Sequence, residues 1–243
     1  MTQDEAKRTA ARRALEFVED GMSLGLGSGT TSAMFIQELG ARVKDGLRVR
    51  GIATSAASEQ LAKSLSIPMT DFEEMPELDL AIDGADEIGP DLALIKGGGG
   101  ALLREKIVES AAKKFIVIAD SSKLVNQLGR FPLPVEVIQM ALPLVSRKLT
   151  ALGLNPKLRH HPDGSKYITD EGNYILDCAC GAIPDPAKTA AEISGITGVV
   201  EHGLFLNMAS FALIANDQGV TEVGKWNGDR YRNAVATVES RTK

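Results

Sequence analysis

The chain has 243 residues, of which 44% are hydrophobic and 24% charged, and a formal net charge of -5. Those figures exclude a mainly disordered chain and give a core that needs no disulfide or metal staple. The acidic balance argues against nucleic acid as the main partner, no apolar run approaches the ~20 residues of a bilayer crossing, and the N-terminus lacks a secretory core, so a soluble cytoplasmic protein is expected.

In chain order, Thr2 and Glu5 form a capping-box pattern ahead of Ala6, Ala10, Ala14 and Phe17 at helical spacing. Residues 22–26 read as a strand, Gly25 to Gly29 as a glycine-rich loop, and 30–39 as a helix. A strand at 48–52, a helix through Leu65 capped by Ser55, and strands at 78–82 and 92–95 follow. Four glycines, 97 to 100, precede a helix over about 101–114, and 115–119 reads as a buried strand. Strands alternating with helices predict a parallel, Rossmann-like sheet in an α/β main domain.

The texture changes at Phe131-Pro132-Leu133-Pro134, because proline fixes the backbone and punctuates the pattern. Beyond it come a strand at 135–138, a helix at 143–152, a hairpin of 167–169 with 174–178, and a helix at 186–193. The expected division is an α/β catalytic domain of residues 1–131 plus 203–227, a smaller inserted α+β domain of 132–202, and a tail of 228–243. The chain is expected to rejoin the sheet at 204–206 and 211–214.

Four segments can carry chemistry. The loop Gly25-Leu26-Gly27-Ser28-Gly29-Thr30-Thr31 between a strand and a helix offers close backbone approach, free N–H groups and hydroxyl donors. That suits an anion. It lacks the third glycine of the dinucleotide fingerprint and the lysine of a P-loop. A small phosphate is the favoured ligand, with a plain tight turn and a dinucleotide as alternatives. Asp83-Gly84-Ala85-Asp86-Glu87 ends an apolar strand, where open α/β sheets bind ligands. Its bland reading is a solvated acidic turn, and the residue types also allow Mg²⁺.

Lys96-Gly97-Gly98-Gly99-Gly100 leads into a helix bearing Glu105. Consecutive glycines are conformationally costly and suit a close approach of backbone to something else. Glu105 is either a dipole-compensating helix start or a base facing a cleft, and Lys96 can stabilise a developing oxyanion. Asp120-Ser121-Ser122-Lys123 follows another strand, so Lys123 either reaches the same crevice or is a solvated surface charge. Together these residues describe a phosphate cradle with lysines and carboxylates and no metal-ligand histidine. That set suits proton transfer on a phosphorylated sugar.

In order and spacing, these segments (the phosphate loop, DGADEI, KGGGGALLREKI and DSSK), with FPLPVEV and the GLF at Gly203, closely resemble A-type ribose-5-phosphate isomerase over about residues 1–225. The resemblance implies interconversion of D-ribose 5-phosphate and D-ribulose 5-phosphate with no cofactor and no metal, in the pentose phosphate pathway. It implies Glu105 as catalytic base, Asp83, Asp86 and Lys96 as further catalytic groups, and Lys123 as a substrate contact. Ser28, Gly29, Thr30, Thr31, Gly84, Ala85, Gly97, Gly98 and Gly99 complete the implied substrate site. The family more often has Thr where Ser28 stands, which keeps the hydroxyl. A homodimer or homotetramer is the implied assembly.

The rivals are an amino-sugar-phosphate deaminase or a CoA-transferase on a related sheet, and a sugar-phosphate-sensing regulator. Ammonia release would mark the deaminase. The regulator is disfavoured because the first strand comes after about 20 residues, leaving little room for a DNA-binding module. Cys178 and Cys180 read as packing residues on one strand face, His160 and His161 as surface loop, and His202 as structural. Trp226 and Tyr231 are candidate anchors of the tail on a partner subunit.

Overall fold

The computed structural model describes residues 1–224. Along the chain lie α1 (Gln3–Leu15), β1 (Ser23–Leu26), α2 (Gly29–Lys44), β2 (Arg50–Ala53), α3 (Ala56–Ser64), β3 (Leu80–Asp83), β4 (Glu87–Ile88), β5 (Leu94–Ile95), α4 (Leu102–Ser110) and β6 (Phe115–Asp120). Then come β7 (Leu133–Val137), α5 (Leu142–Ala151), β8 (Pro156–Leu158), β9 (Tyr174–Cys178), α6 (Pro186–Ser194), β10 (Val199–His202), β11 (Leu204–Phe205), β12 (Phe211–Asn216) and β13 (Gly219–Gly224).

Six strands form the main sheet in the order β13-β12-β6-β3-β1-β2. All pairings are parallel except the terminal β12–β13 hairpin. β1, β3 and β6 are buried along their whole length, as near-continuous apolar strands of a sheet covered on both faces should be. α1 starts at the expected capping box: Thr2 Oγ1 accepts from Glu5 N–H, and Glu5 returns the bond to Thr2 N–H. Its alanine face then lies against α2, β6 and β12. From β1 the chain winds outward to β2, then returns to place β3 on the other side of β1. The crevice between the carboxyl ends of β1 and β3 is therefore a topological switch point.

A second sheet, β10-β7-β9-β8, is antiparallel and lies within residues 133–202. Here two local readings need correction. The strand expected at 135–138 runs instead over Leu133–Val137: β7 includes Pro134 and is central in its sheet. Asp177 faces Pro134 across the β7–β9 pair, while Pro134 O accepts from Gly203 N–H at 2.8 Å. Residues 167–169 are not the hairpin partner of β9. β8 takes that edge, and Thr169 instead closes a turn with Gly172 and Asn173.

The segments 92–95 and 204–206 do form strands, but not in the main sheet. β5 and β11 pair with each other, and with β4 make a third, three-stranded sheet, β11-β5-β4. β13 had no sequence expectation. Cys178 ends β9, so Cys180 lies beyond the strand; both thiols are free and pack in the core beneath β7. His160 and His161 are exposed. Among the described residues no helix is long and apolar enough to cross a membrane. Trp226, Tyr231 and the tail lie outside the described residues.

Candidate active site

Strand ends bring the four sequence segments together. A cleft of about 120 Å³ is lined by Ser28, Gly29, Thr30 and Thr31 after β1, by Gly84, Ala85 and Asp86 after β3, by Lys96, Gly97, Gly98, Gly99 and Glu105 around the glycine loop, and by Lys123 after β6. Lys7 from α1 completes the wall. The N-terminus of α2 opens into this cleft without a side-chain cap from Ser28, leaving its first N–H groups for an anion.

Asp83, the last residue of β3, lies under the cradle rather than in the lining. It is 1% exposed. One of its oxygens accepts from Ser28 N–H at 2.9 Å, Ser32 Oγ at 2.6 Å and Gly84 N–H at 2.7 Å. The other accepts from Lys96 Nζ at 2.8 Å. Asp83 thus ties the phosphate loop to the lysine. Lys96 also donates to Gly84 O at 2.7 Å, and its Nζ lies 3.7 Å from Glu105 Oε2. Burial opposes its charge, but Asp83, Glu105 and Glu109 outweigh that and raise its pKa.

Glu105 reaches the cleft from the first turns of α4. Burial is the largest influence on its carboxyl, with Asp83 and Asp86 adding repulsion, and despite the opposing Lys96 charge it is pushed up to about 8. A carboxylate so destabilised is a stronger base than a solvated one. Asp86 is held by the glycine loop: Gly98 N–H donates to its Oδ2 at 2.7 Å. A Cβ at Gly98 would stand 2.5 Å from Asp86 Oδ1, so only glycine permits that approach. Burial raises the Asp86 pKa against the pull of Gly98 N–H, Lys96, Lys123 and Arg159.

The second sheet secures this loop from above. Arg159 donates from Nη1 to Gly97 O and Gly98 O, both at 3.1 Å, and pairs with Asp177 through Nε at 2.8 Å and Nη2 at 2.5 Å. Tyr167 Oη donates to Gly99 O at 3.2 Å.

The sequence profile of ribose 5-phosphate isomerase A (phosphoriboisomerase A) matches residues 50–219. A relative from Roseiflexus castenholzii, named ribose-5-phosphate isomerase A, is 53% identical over 220 residues, covering 89% of this chain and 94% of its own. The chain belongs to the ribose-5-phosphate isomerase A family. Its fold agrees. A D-ribose-5-phosphate isomerase solved in complex with phospho-erythronic acid superposes with a TM-score of 0.89 at 38% identity, covering 92% of this chain and 100% of that one. The ribose 5-phosphate isomerase A of Methanocaldococcus jannaschii gives 0.88 at 41% identity, with the same coverage. The chain is thus an isomerase enzyme of α/β fold.

Every residue that the family resemblance assigned to the isomerase site lines the cleft, except Asp83, which supports it from below. Glu87, the third acid of the DGADE run, points away. It is buried and accepts from Gly129 N–H and Phe131 N–H at 2.7 and 2.6 Å. Asp86 lies in the bend just before β4, whereas Glu87 is the first residue of that strand. Three groups escaped the sequence reading: Lys7, Arg159 and Glu109. Glu109 alone left a usable signal, standing one turn beyond Glu105 on the same helix face. His202 is structural as expected: it is buried, its Nδ1 accepts from Leu204 N–H at 3.2 Å, and burial pushes its pKa down to about 4.

Proposed function

We propose that this isomerase interconverts D-ribose 5-phosphate and D-ribulose 5-phosphate through a cis-enediolate, with Glu105 as the general base. The observation that carries this reading is the position of Glu105: a buried carboxyl of raised pKa, lining a phosphate-type cradle, beside the Lys96 ammonium.

In this mechanism the sugar phosphate docks on the α2 N-terminus with Lys7 and Lys123 alongside. Asp86, which lines the cleft, assists ring opening and holds sugar hydroxyls, and Asp83 supports the reaction from below by fixing the phosphate loop and the Lys96 ammonium. In the open chain, Glu105 takes the C2 proton. The C2–H electron pair forms the C1–C2 double bond as the aldehyde oxygen becomes an alkoxide, whose charge Lys96 offsets. Glu105 then returns its proton to C1. The O2 hydroxyl proton moves to O1, leaving the C2 ketone. This is a step of the non-oxidative pentose phosphate branch. That a solved relative is in complex with phospho-erythronic acid, a phosphorylated sugar acid, supports the reading.

The test is ribulose 5-phosphate formation from ribose 5-phosphate in excess EDTA, with Glu105→Gln alongside. Loss of kcat by ~10²–10⁴-fold with little change in substrate binding is the expected result. Near-normal turnover by the variant refutes Glu105 as base. Ammonia release from an amino-sugar phosphate would favour the deaminase reading.

A further inference from the structure

Beneath the cleft, one ammonium faces three carboxyl groups. Lys96 Nζ lies 2.8 Å from Asp83 Oδ2, 3.1 Å from Glu109 Oε1 and 3.7 Å from Glu105 Oε2. Glu105 and Glu109 are one helical turn apart on α4, so both project toward Lys96. Their surroundings differ. Glu105 lines the cleft, whereas the Glu109 side chain has 0% exposure and does not line it.

The charged groups around Glu109 are few. Asp83 comes from β3, Lys96 from the end of β5, and Glu105 from its own helix. Lys106 is also on α4, but its ammonium is committed to Glu201 and His202 O of β10, both at 2.6 Å. Asp83 accepts from four donors, as befits an anion. Asp83 and Lys96 therefore offset one another. Neither oxygen of Glu109 receives an aligned hydrogen bond, and its one cationic neighbour, the Lys96 ammonium at 3.1 Å, is shared with Asp83 and Glu105. Two more anions in this buried space would leave it with a net charge of two. A buried carboxylate that only shares one ammonium with two other carboxyl groups, and receives no aligned hydrogen bond, is costly enough that the group takes up a proton instead.

We propose that Glu109 is a positioning residue for the isomerisation: it remains a neutral carboxylic acid under the cleft, donates its proton as a hydrogen bond to Asp83, and leaves Glu105 as the group of the cluster that ionises in the working range. Burial, the largest influence, and the neighbouring Asp83 and Glu105 carboxyls both raise its pKa well above the usual value, in keeping with this role. A protonated Glu109 braces the Asp83–Lys96 pair from below. It also spares Glu105 a second buried anion. The catalytic part of the proposal rests on Glu105 being the base, whereas the protonation state of Glu109 does not.

Two measurements on the full chain test it. Infrared difference spectra between the wild type and Glu109→Gln at pH 8 should contain a carboxylic-acid carbonyl band that the variant lacks. Absence of that band overturns the proposal, whatever the activity. In kinetics, Glu109→Gln keeps a neutral donor. The acid limb of its kcat/KM profile should therefore hold its position while kcat falls modestly. A shift of that limb to lower pH by a unit or more would mean that Glu109 is ionised in the wild type, and overturns the proposal.

Glu109→Leu keeps the bulk but loses the donor. It should lower kcat at least ~10-fold with KM nearly constant, and Glu109→Gln should recover most of the loss. Wild-type kcat in Glu109→Leu overturns the positioning role. If that variant fails to fold, the infrared band and the Glu109→Gln profile decide. Substantial turnover by Glu105→Gln would instead remove the assigned base and leave the infrared result standing.

Discussion

A Cβ on Gly27 would stand 2.1 Å from Asp83 Oδ1. The two residues are 56 positions apart, yet the loop after β1 and the end of β3 lie against each other with no room for a methyl group. The contact lets Ser28 N–H reach the Asp83 carboxylate. Gly27→Ala should therefore push the carboxylate away from Lys96. We expect kcat/KM to fall at least ~10-fold, because small displacements of a catalytic set are costly. Overpacking of this kind costs about 1–3 kcal/mol, so the thermal midpoint should drop by several degrees. Steady-state kinetics and a melting curve check both.

The pH dependence follows from Glu105. Its folded pKa of about 8 lies above the ordinary 4.5, and the base works only when ionised. The kcat/KM profile should thus rise with pH along a limb centred near about 8. Stability runs the other way. A carboxyl of raised pKa stabilises the fold fully below its unfolded value, and the contribution is lost as pH climbs through about 8. His202, pushed down to about 4 from 6.5, contributes above 6.5 and loses that contribution as pH falls toward 4. Melting temperature against pH should fall on the alkaline side in the wild type and more weakly in Glu105→Gln.

Arg159 should matter although it belongs to the second sheet. Its guanidinium spans two glycine carbonyls and the Asp177 carboxylate at once. Lysine cannot reproduce that fork. Arg159→Ala is expected to loosen the loop that fixes Asp86 and to lower kcat/KM by roughly 10–100-fold. Arg159→Lys should fail to restore it. Wild-type kinetics in the lysine variant would show that the fork is not required.

The phosphate handle is testable through Lys7. This lysine lines the cleft, and among the described residues its ion-pair partner is an Asp4 carboxylate at 3.8 Å. Lys7→Ala should raise KM for ribose 5-phosphate by roughly 10-fold or more while kcat changes less, the loss expected for one charged hydrogen bond. Free ribose should be a very poor substrate, since remote binding energy positions the reacting carbons. Comparable kcat/KM for ribose and ribose 5-phosphate would refute the handle.

The main sheet was legible because β1, β3 and β6 are short apolar runs closed by polar turns, and each turn carried its own chemistry. Glycine at 27 and 98 announced close approaches, though not that the partners would be Asp83 and Asp86. The third sheet was not legible: β4, β5 and β11 have two residues each, too few for any period. The β8–β9 pairing depends on register across a long connection rather than on the nearby turn at Gly172. Lys7 looked like one more charge on a helical face. Arg159 carries no motif, because its partners Asp177 and the glycine carbonyls are distant in sequence. Glu109 had the correct spacing from Glu105, but its meaning depends on depth, which a sequence does not encode.

The strand that carries Lys96 to the cleft is held from far along the chain. Lys96 N–H donates to Gly203 O at 2.9 Å, and β5 pairs with β11 just beyond it. More than a hundred residues must be synthesised after the lysine before that pairing can form. On a ribosome, β4 and β5 and the Asp83 and Gly84 partners of the lysine therefore emerge together, while the β11 side of its strand and the parallel strand β12 follow late. The loop that carries Lys96 thus depends on long-range pairing across more than a hundred residues, which closes slowly, and its final clamp belongs to the late part of folding.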